Sequence, residues 1–392
     1  MTKTPFSLLL TLGLVAMLTP LAIDMYLPSL PGIARDLGVD PSQVQATVSA
    51  YVGGFALGQL LLGPVADAIG RRPVILGGTL LFTVLSVACA LASDIQMLQL
   101  IRVLQGMMGA ASSVVIYALL RDLIDDPNEL SRLLSTITLV ITLAPLLAPL
   151  IGGYVLLVAP WQGIFWLLAL AALAAVALVW WRIPETLKVR RPLALGQTLK
   201  DFGLLLANPR ALGLILCAAF SFSGLMAFLT SGSFVYIELY GVSEAQFGYY
   251  FGLNVVVLMV LTYGNGRLVH RWGAQRLLLL ALVLQSLMGG LAFLAVYWQW
   301  PFAALVAGVA GYIGCLSMVG SNAMALLLQK VPDMAGTASS LAGSSRFGFG
   351  ALVGLGVAAA HSADSALPMV VTMVLSAVLG LVIFLSLSYR RG

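Results

Sequence analysis

The sequence predicts an all-α polytopic membrane protein with twelve transmembrane helices, and three observations support this fold class. Apolar residues make up 60% of the 392 positions, charged residues only 9%, and the mean hydropathy is +1.02. The apolar residues gather in twelve runs of about 20 residues, the length that a helix needs to cross roughly 30 Å of hydrocarbon. Basic residues collect in alternate connections between these runs. A water-soluble fold is excluded, because so few charged residues cannot cover a globule of this size.

Each apolar run is expected to form one spanning helix, since backbone N–H and C=O groups in lipid must pair within their own segment. A membrane β-barrel would instead show alternating apolar and polar positions. We number the predicted helices as spans 1 to 12. They cover residues 6–28, 44–65, 74–93, 97–119, 133–158, 161–182, 211–236, 246–266, 275–297, 301–328, 335–360 and 366–388. Span 1 is too long for a signal-peptide core and contains Asp24, so we expect it to be retained.

The distribution of Lys and Arg predicts the orientation in the membrane. Of the 20 basic residues, Arg35 lies on one side, Arg102 and Arg346 lie inside spans, and the other 17 lie on the opposite side. These 17 residues are Lys3, Arg71, Arg72, Arg121, Arg132, Arg182, Lys188, Arg190, Arg191, Lys200, Arg210, Arg267, Arg271, Arg276, Lys330, Arg390 and Arg391. Because basic loops stay in the cytoplasm, both termini and the 183–210 connection are expected there.

Several function classes are disfavoured by the same sequence. The net charge of +5 is spread over short loops without one basic face, so nucleic-acid binding is not expected. Cys89, Cys217 and Cys315 lie inside apolar runs without disulfide or metal spacing, and we expect them to be buried. His270 and His361 lie near helix ends and form no metal-protease motif, so an intramembrane enzyme is not expected.

The longest polar interval divides the chain into two sets of six spans. We predict an N-terminal six-helix bundle at 1–183, a cytoplasmic linker at 184–210 and a C-terminal six-helix bundle at 211–392. The loops after spans 2 and 8 share a spacing of small, polar and basic residues, although such residues are also common in tight turns. The matching sets are Gly63, Asp67, Gly70, Arg71 and Arg72 in the first loop, and Gly266, His270, Gly273 and Arg276 in the second. Repeated halves are typical of transporters that rock two bundles around a midplane site.

The loop after span 2 also carries a known family pattern. Residues 63–72, GPVADAIGRR, resemble the G-x-x-x-D-x-x-G-[RK]-[RK] signature of the major facilitator superfamily. Arg102, Gln105 and Gly106 resemble the R-x-x-Q-G pattern of span 4 in that family. The resemblance implies the major facilitator fold of two six-helix bundles.

A third family pattern lies in span 5, where residues 144–153 resemble the antiporter pattern G-x-x-x-G-P-x-x-G-G. Ala144 and Ala148 replace two of its glycines. The residues that remain to bend and thin the helix are Pro145, Pro149, Gly152 and Gly153.

Four further stretches are similar to the bicyclomycin-resistance (Bcr/CflA) drug:proton antiporter group, and together they extend over essentially the whole chain. They are residues 23–28, 184–187, 234–238 and 334–340. The resemblance implies a proton-coupled multidrug efflux antiporter of the bacterial cytoplasmic (inner) membrane, which exports bicyclomycin-like and other antibiotics by alternating access. Its partners would be small-molecule drugs, protons and the lipid bilayer, with a proton gradient and no cofactor as the driving force. A monomer would suffice, because the pathway lies between two halves of one chain.

Asp24 is the one acid predicted inside a span, and Arg102 is expected at a similar depth in the outer half of span 4. A central charge costs about 2.5–3.5 kcal/mol to insert, so Asp24 needs water, a partner or a proton. Our main hypothesis is that Asp24 carries the transported proton and that Arg102 senses its charge, the roles that the resembled family associates with these motif positions. The alternative is a structural Asp–Arg pair, or an Asp24 hydrogen-bonded to a helix end.

Other charged residues are given separate roles. The family pattern implies that Asp67, with Arg71, latches the two halves near Met334 at the start of span 11. His270 replaces the acid in the second copy and is expected to be a solvated loop residue. Arg346 is predicted near mid-membrane without an acidic neighbour, in an anchoring or substrate-binding role.

A cavity that accepts varied drugs needs apolar and aromatic walls with few directional groups. Tyr51, Phe55 and Gln59 share one face of span 2 at spacing i, i+4, i+8. The full set of candidate substrate-binding residues is Asp24, Tyr26, Tyr51, Phe55, Gln59, Phe220, Phe228, Asn254, Asn322 and Arg346. Helix packing alone also selects such residues. No chemistry is assigned to Arg121 and Asp122, which are expected in a solvated loop.

Two other functions compete with drug export. The first is export of a natural metabolite, such as an amino acid or a small peptide, with cysteine or a dipeptide as examples. The second is a passive or structural twelve-helix protein.

Overall fold

The computed structural model describes residues 6–124, 126–187 and 195–389, and every regular element in these residues is helical. Twelve helical segments in these described residues are long and apolar enough to cross a membrane, which confirms the predicted fold class. Six residues of the predicted basic cluster lie outside the described residues. They are Lys3, Lys188, Arg190, Arg191, Arg390 and Arg391.

The helices follow the predicted order, and spans 7 and 12 end in wider π-helical turns. Their bounds are Phe6–Asp24 and Leu30–Leu37 for span 1, then Pro41–Ile69, Arg71–Ala90, Ile95–Leu123, Pro127–Val155, Gln162–Arg182, Pro209–Ser233 with Phe234–Leu239, Glu244–Trp272, Ala274–Tyr297, Phe302–Lys330, Ala335–Ala359, and Leu367–Ile383 with Phe384–Ser388. Because the number of spans is even, both described chain ends lie at one end of the protein. We call it the terminal end, and the opposite end the Arg35 end.

Span 1 differs from the unbroken helix predicted at 6–28. Its first helix ends at Asp24, a short 3₁₀ turn follows at Leu27–Ser29, and a second helix continues over Leu30–Leu37. Pro28 is the physical cause, since a proline ring has no N–H to donate and disfavours α-helical geometry at the preceding residue. Asp24 therefore lies at a break within the span instead of near its end.

Five spans begin upstream of the predicted start because a polar side chain caps the first turn. Span 5, for example, begins at Pro127 instead of residue 133, and Asp126 accepts the backbone N–H of Asn128 at 2.9 Å. The five caps are Asp40, Asp94, Asp126, Asn208 and Ser243. The apolar runs mark only the part of each helix that meets lipid.

The predicted linker contains a helix, Leu195–Ala207, that was not predicted from the sequence. Leu205 of this helix is fully buried, and Phe202 packs beside it against an apolar cluster of the second half of the chain. Asn208 then caps the start of span 7 at Pro209. The linker helix is therefore docked on the second half.

The two halves of the chain meet along two seams. Span 2 packs along span 11, and span 5 packs along span 8. Within the first half, spans 2 and 4 come unusually close. A Cβ added at Gly106 would overlap the carbonyl oxygen of Tyr51, and a Cβ added at Gly54 would overlap that of Val103. These glycines bring the residues of spans 2 and 4 that carry the candidate site into direct contact.

Candidate functional site

Asp24 lies at the break in span 1, and the residue is only 6% exposed. Among the described residues it is the one buried carboxyl group, and no hydrogen bond or ion pair to it is found there. It lies thirteen residues before Leu37, where span 1 ends. The predicted span ended at residue 28, only four residues after Asp24. Asp24 therefore lies deeper in the membrane than the sequence predicted. A permanent charge at this place would be costly without water or a partner.

Arg102 is fully buried in span 4 and is enclosed by aromatic rings. Its guanidinium carbon lies 4.3 Å from the ring centre of Tyr51, 4.7 Å from that of Tyr26 and 5.9 Å from that of Phe165. Each ring face attracts a cation, by up to about 2 kcal/mol in a desolvated site. The three rings therefore stabilise the charge without neutralising it.

One edge of the Arg102 guanidinium is hydrogen-bonded and the other is free. Nη1 donates to Oε1 of Gln105 at 2.9 Å, and Nε2 of Gln105 donates to Oγ of Ser86 at 2.8 Å. In the described residues, Nε and Nη2 of Arg102 are buried without an acceptor. Two unpaired charged donors in an apolar site are a strong attraction for an oxygen ligand or an anion.

The predicted coupling of Asp24 with Arg102 is not a direct ion pair in this conformation. No ion pair between the two is found in the part of the chain that the structure describes, although both lie within electrostatic reach of Tyr51. The Tyr51 hydroxyl donates to Thr19 at 3.4 Å, and the Tyr26 hydroxyl bonds Thr47 at 2.9 Å. Both tyrosine rings lie against the Arg102 guanidinium, so we propose that they position it.

The loop after span 2 is a single residue, Gly70, with a φ angle of +118° that disfavours any side chain. The next residue, Arg71, reaches across to span 4, where its Nε lies 2.6 Å from Oδ2 of Asp122. Its Nη2 lies 3.6 Å from Oδ1 of Asp67. The expectation that Asp122 is an uninvolved loop residue is therefore wrong, because span 4 extends to Leu123 and carries the carboxylate to the arginine.

Glu185, just after span 6, completes this charged cluster. Its Oε1 accepts the backbone N–H of Arg71 at 3.1 Å, and Thr186 donates its hydroxyl to Asp122 at 3.0 Å. Partial burial raises the pKa of Glu185, but backbone N–H groups, with that of Leu187 foremost, outweigh burial and hold the pKa below its ordinary value. Arg72 donates to the carbonyl of Trp180 at 2.9 Å. The cluster ties spans 2, 3, 4 and 6 together at the terminal end.

The predicted latch between Asp67 and the start of span 11 near Met334 is not formed in this conformation. Asp67 is 48% exposed, and its ion pair with Arg71 stays within the first half of the chain. His270, at the matching position of the second half, is exposed. The gating role of this motif remains a prediction for a different conformation.

The span 5 motif makes two close contacts at the Arg35 end. A Cβ added at Gly152 would overlap the carbonyl oxygen of Met25, beside the break in span 1, and one added at Gly153 would come 2.7 Å from the carbonyl oxygen of Glu244 in span 8. Pro145 and Pro149 both lie inside the helix. The motif therefore joins span 5 to both halves of the chain.

Phe55 and Arg346 meet where span 2 packs on span 11. The ring of Phe55 lies 4.7 Å from that of Phe347, which in turn lies 5.0 Å from that of Phe222. The Arg346 guanidinium lies 4.8 Å from the ring of Phe222 and 5.0 Å from that of Phe347. Phe222 and Phe347 were not predicted from the sequence, because ring contacts between distant spans leave no local spacing signal.

Two buried polar groups lie near these rings, one on span 2 and one on span 11. Within the described residues, Nε of Arg346 and Oε1 of Gln59 are buried without a hydrogen-bond partner. Gly343, one turn before Arg346, faces Oε1 of Gln59, which a Cβ there would approach to 3.2 Å. The pair offers a donor and an acceptor at the seam between the halves.

The remaining candidate substrate-binding residues lie in the second half, and they differ in whether their polar groups have hydrogen-bond partners. Asn254 is 1% exposed, and in the described structure both polar atoms of its amide lack a partner. Phe228 packs on the rings of Tyr236 and Phe251. Asn322 is satisfied by Asn265 and by a backbone carbonyl, and the ring of Phe220 lies against that of Phe349. Asn254 is thus the one of these groups that still needs a polar partner.

Polar contacts close the Arg35 end between the two halves. Arg35 lies 3.8 Å from Glu238 and 3.5 Å from Glu244, measured between charged atoms. Nε2 of Gln45 lies 2.8 Å from Nδ1 of His361, which follows span 11. These contacts connect the first two spans to spans 7, 8 and 11.

We expect the closed Arg35 end to open as the solution becomes acidic. Burial lowers the pKa of His361 below its ordinary 6.5, while the charges of Asp40 and Glu238 oppose this effect. The neutral imidazole that accepts from Gln45 is therefore favoured when the end is closed. This stabilisation is complete above the ordinary pKa and is lost as the pH falls below it.

The measurement is the distance between spin labels at Gln43 and Ser362, two exposed positions in different halves. The wild-type distance should lengthen between about pH 7 and pH 5. In a His361→Gln variant, whose amide oxygen accepts at every pH, the change should be absent. An identical acid response in this variant would show that another group controls the opening.

Twelve spans, a buried carboxyl group and a seam between two halves define a membrane transporter. A family model described as "Major Facilitator Superfamily" matches residues 12–355. The chain belongs to this family, whose members are transporters and not enzymes.

Three relatives extend the comparison, two of them over nearly the full length. The chain is 42% identical to a "Bicyclomycin resistance protein homolog" of Haemophilus influenzae, covering 99% of this chain and 98% of that one. It is 34% identical to the "Uncharacterized MFS-type transporter YdgK" of Bacillus subtilis, over 99% and 97% of the two chains. It is 30% identical to the "Multidrug resistance protein MdtL" of Escherichia coli O157:H7 over 64% of this chain and 63% of that one. The protein is thus a multi-pass membrane transporter related to bacterial drug-resistance proteins.

Solved structures support the same fold. A "D-xylose-proton symporter" superposes with a TM-score of 0.77 at 15% identity, covering 98% of both chains. An "inward open conformation" of the xylose transporter XylE from E. coli superposes with a TM-score of 0.76 at 15% identity, over 98% of this chain and 97% of that one. At this identity the likeness shows the fold alone.

Proposed function

We propose that this protein is a proton-coupled multidrug efflux antiporter of the bacterial cytoplasmic membrane. The observation that carries the proposal is Asp24, a buried carboxyl group at a helix break with no protein partner among the described residues. Such a group is stable when it is neutral and needs water or a cation when it is ionised. The full-length relative named for bicyclomycin resistance supports drugs as the cargo.

The proposed cycle couples the charge of Asp24 to the choice between two conformations. Ionised Asp24 attracts a cationic or polarisable drug and the free edge of Arg102, whereas protonated Asp24 loses both attractions. The protein then favours the conformation that is open to the opposite side. The aromatic rings and Gln105 hold the Arg102 guanidinium in place.

The proposed moving parts are the two six-helix bundles, residues 1–183 and 211–392, with the 184–210 linker between them. Most basic loops lie at the terminal end, so we place both termini in the cytoplasm and the Arg35 end outside. On this orientation the structure is closed outside. In the other conformation, the cluster around Arg71 would latch the cytoplasmic side. Because one chain contains the whole pathway, the protein would work as a monomer.

The proposed drug site lies between Phe55 and Gln59 of the first half and Phe228, Asn254 and Arg346 of the second. Its aromatic rings are those of Phe55 and Phe228. In the described residues its unpartnered polar atoms are Oε1 of Gln59, both amide atoms of Asn254 and Nε of Arg346. Apolar walls select weakly among hydrophobic molecules, and a few polar groups orient them, which suits varied substrates.

A natural metabolite is the second candidate cargo. The unpartnered Nε of Arg346 would suit the carboxylate of an amino acid or small peptide, such as cysteine, and the unpartnered Oε1 of Gln59 would suit its ammonium group. Cells that overproduce the protein would then accumulate this metabolite in their medium.

The test is transport by inverted membrane vesicles that contain the protein. Bicyclomycin should accumulate in the vesicles when respiration acidifies their interior, and a protonophore should abolish the accumulation. Vesicles without the protein are the control. Accumulation that survives the protonophore would refute proton coupling, and cysteine accumulation without bicyclomycin accumulation would establish the metabolite as the cargo.

A further inference from the structure

A small cavity of about 50 Å³ lies within the second half of the chain, between spans 7, 10 and 11. Its described lining is apolar except for one residue. Leu214, Ala323 and Leu327 are typical of the walls, and the exception is Arg346 of span 11. One water needs about 10–15 Å³ of such space, whereas sites for drug-sized molecules measure about 300–1,000 Å³. The cavity therefore has room for a small ion with a few waters, and it is too small for a drug.

The Arg346 guanidinium turns a terminal nitrogen towards this cavity. Of its three nitrogens only Nε is fully buried. Nη1 lies beside Gly320 of span 10, where an added Cβ would come within 3.8 Å of it, and Gly320 also lines the cavity. The rings of Phe222 and Phe347 hold the guanidinium carbon at 4.8 Å and 5.0 Å. The rings thus fix the arginine in a position where Nη1 can bond a ligand in the cavity.

No protein group neutralises Arg346 in the part of the chain that the structure describes. Neither a hydrogen bond nor an ion pair to it is found there. The helices that wall the cavity, Pro209–Ser233, Phe302–Lys330 and Ala335–Ala359, contain no Asp or Glu. Arg346 lies eleven residues after the start of span 11, at a depth of about 16 Å. A charge at this depth needs a partner, because an isolated charge is costly in a medium of low dielectric constant.

Water and an anion are the two kinds of partner that fit the cavity, and they differ in what they do to the charge. Water would accept a hydrogen bond from Nη1 but would leave the positive charge uncompensated between apolar walls. An anion accepts a stronger, charge-assisted hydrogen bond and also balances the charge. The lining offers one positive charge among the described residues, so it suits a monovalent anion and not a divalent one.

The apolar walls also rank the anions that fit. Leucine and alanine side chains donate no hydrogen bond, so an anion gives up part of its hydration shell when it enters. This loss costs less for a large halide than for a small one, because the charge of the large ion is spread over a wider surface. Bromide should therefore bind more tightly than chloride, and fluoride should bind least.

We propose that this cavity binds one small monovalent anion, such as chloride, which accepts from Nη1 of Arg346 and neutralises its charge. The lining extends from Arg346 to Leu327, three residues before span 10 ends at Lys330, so the anion approaches from the terminal end. The proposal goes beyond the proposed function, since anion binding needs neither a drug nor a proton gradient.

The test compares the melting temperature of the purified protein in sodium chloride, sodium bromide and sodium gluconate at equal ionic strength. Chloride and bromide should raise it in a saturable way, bromide at the lower concentration, because a ligand that binds the folded state stabilises that state. Gluconate, which is too bulky for the cavity, should not. Crystals grown in sodium bromide should show an anomalous diffraction peak beside Nη1 of Arg346.

Two pairs of variants locate the effect. Gly320→Ala places a methyl group beside Nη1 of Arg346 and meets no other atom within 4 Å at its Cβ. It should raise the apparent Kd for chloride about tenfold, which corresponds to roughly 1.4 kcal/mol. Gly290→Ala is the matched control, because Gly290 is open at its Cβ, lies in span 9 and does not line the cavity. Arg346→Gln should abolish the halide effect, and Arg271→Gln, which removes an exposed charge, should retain it.

Equal melting temperatures in chloride and gluconate would overturn the proposal and indicate that water fills the cavity. A halide effect that persists unchanged in Gly320→Ala and Arg346→Gln would overturn it as well, and so would bromide peaks found only at other basic residues. None of these measurements involves transport, so a failure of proton coupling or of drug export would not alter their outcome.

Discussion

An Asp24→Asn variant is expected to lose proton-driven drug accumulation by at least about tenfold, within the range of 5–150-fold that typical coupling free energies of 1–3 kcal/mol produce. The amide has nearly the shape of the protonated carboxyl group but cannot release a proton. Because Asp24 is the one buried carboxyl group in the described structure, no other such group there replaces it. Exchange of drug for drug, which needs no proton, should continue.

The measurement is uptake into proteoliposomes with and without an imposed pH gradient. Asp24→Glu should retain gradient-dependent uptake, since it keeps a titratable carboxyl group at the same break. Asp364→Asn, which neutralises an exposed loop acid, should behave as the wild type. Gradient-driven uptake by Asp24→Asn at the wild-type level would remove Asp24 from the proton-carrying role.

A Gly106→Ala variant is expected to be strongly destabilised, although the substitution adds only one methyl group. The new Cβ would overlap the carbonyl oxygen of Tyr51 and would come 3.0 Å from the backbone nitrogen of Phe55. Backbone atoms cannot rotate away as a side chain does, so spans 2 and 4 must separate. Overpacking of this kind costs typically about 1–3 kcal/mol, and more when the backbone has to move.

The measurement is the temperature at which the purified protein loses its monodisperse peak in detergent, together with drug binding at a lower temperature. Gly77→Ala is the control, since a Cβ at Gly77 meets no atom within 4 Å. It should leave the melting temperature nearly unchanged. A wild-type melting temperature for Gly106→Ala would mean that spans 2 and 4 are not in backbone contact.

The number and positions of the spans were predictable from the sequence, because each helix that crosses the membrane needs a long run of apolar residues. All twelve spans follow from apolar length, and the motif from Gly63 to Arg72 marks the tight turn at Gly70. The break after Asp24 was harder to predict, although Pro28 is its local cause. Apolar composition alone does not distinguish a broken span from a continuous one.

The composition of the site was partly predictable, but its pairings were not. Asp24 and Arg102 are conspicuous as charges in apolar runs. Asp122 lies 51 positions after Arg71 in the chain, and Phe165 lies 63 positions after Arg102, so no spacing rule connects either pair. Such contacts depend on how six helices pack, which is determined by side-chain shapes along several spans at once.

The single carboxyl group at the break in span 1 has a consequence for the electrical balance of the cycle. If Asp24 carries one proton inward for each molecule carried out, export of an uncharged compound moves one net charge, and the membrane voltage and the pH difference both drive it. Export of a monovalent cation in the same exchange moves no net charge, and only the difference in pH drives it. On this stoichiometry, the energy available for the export of each compound follows from the compound's own charge.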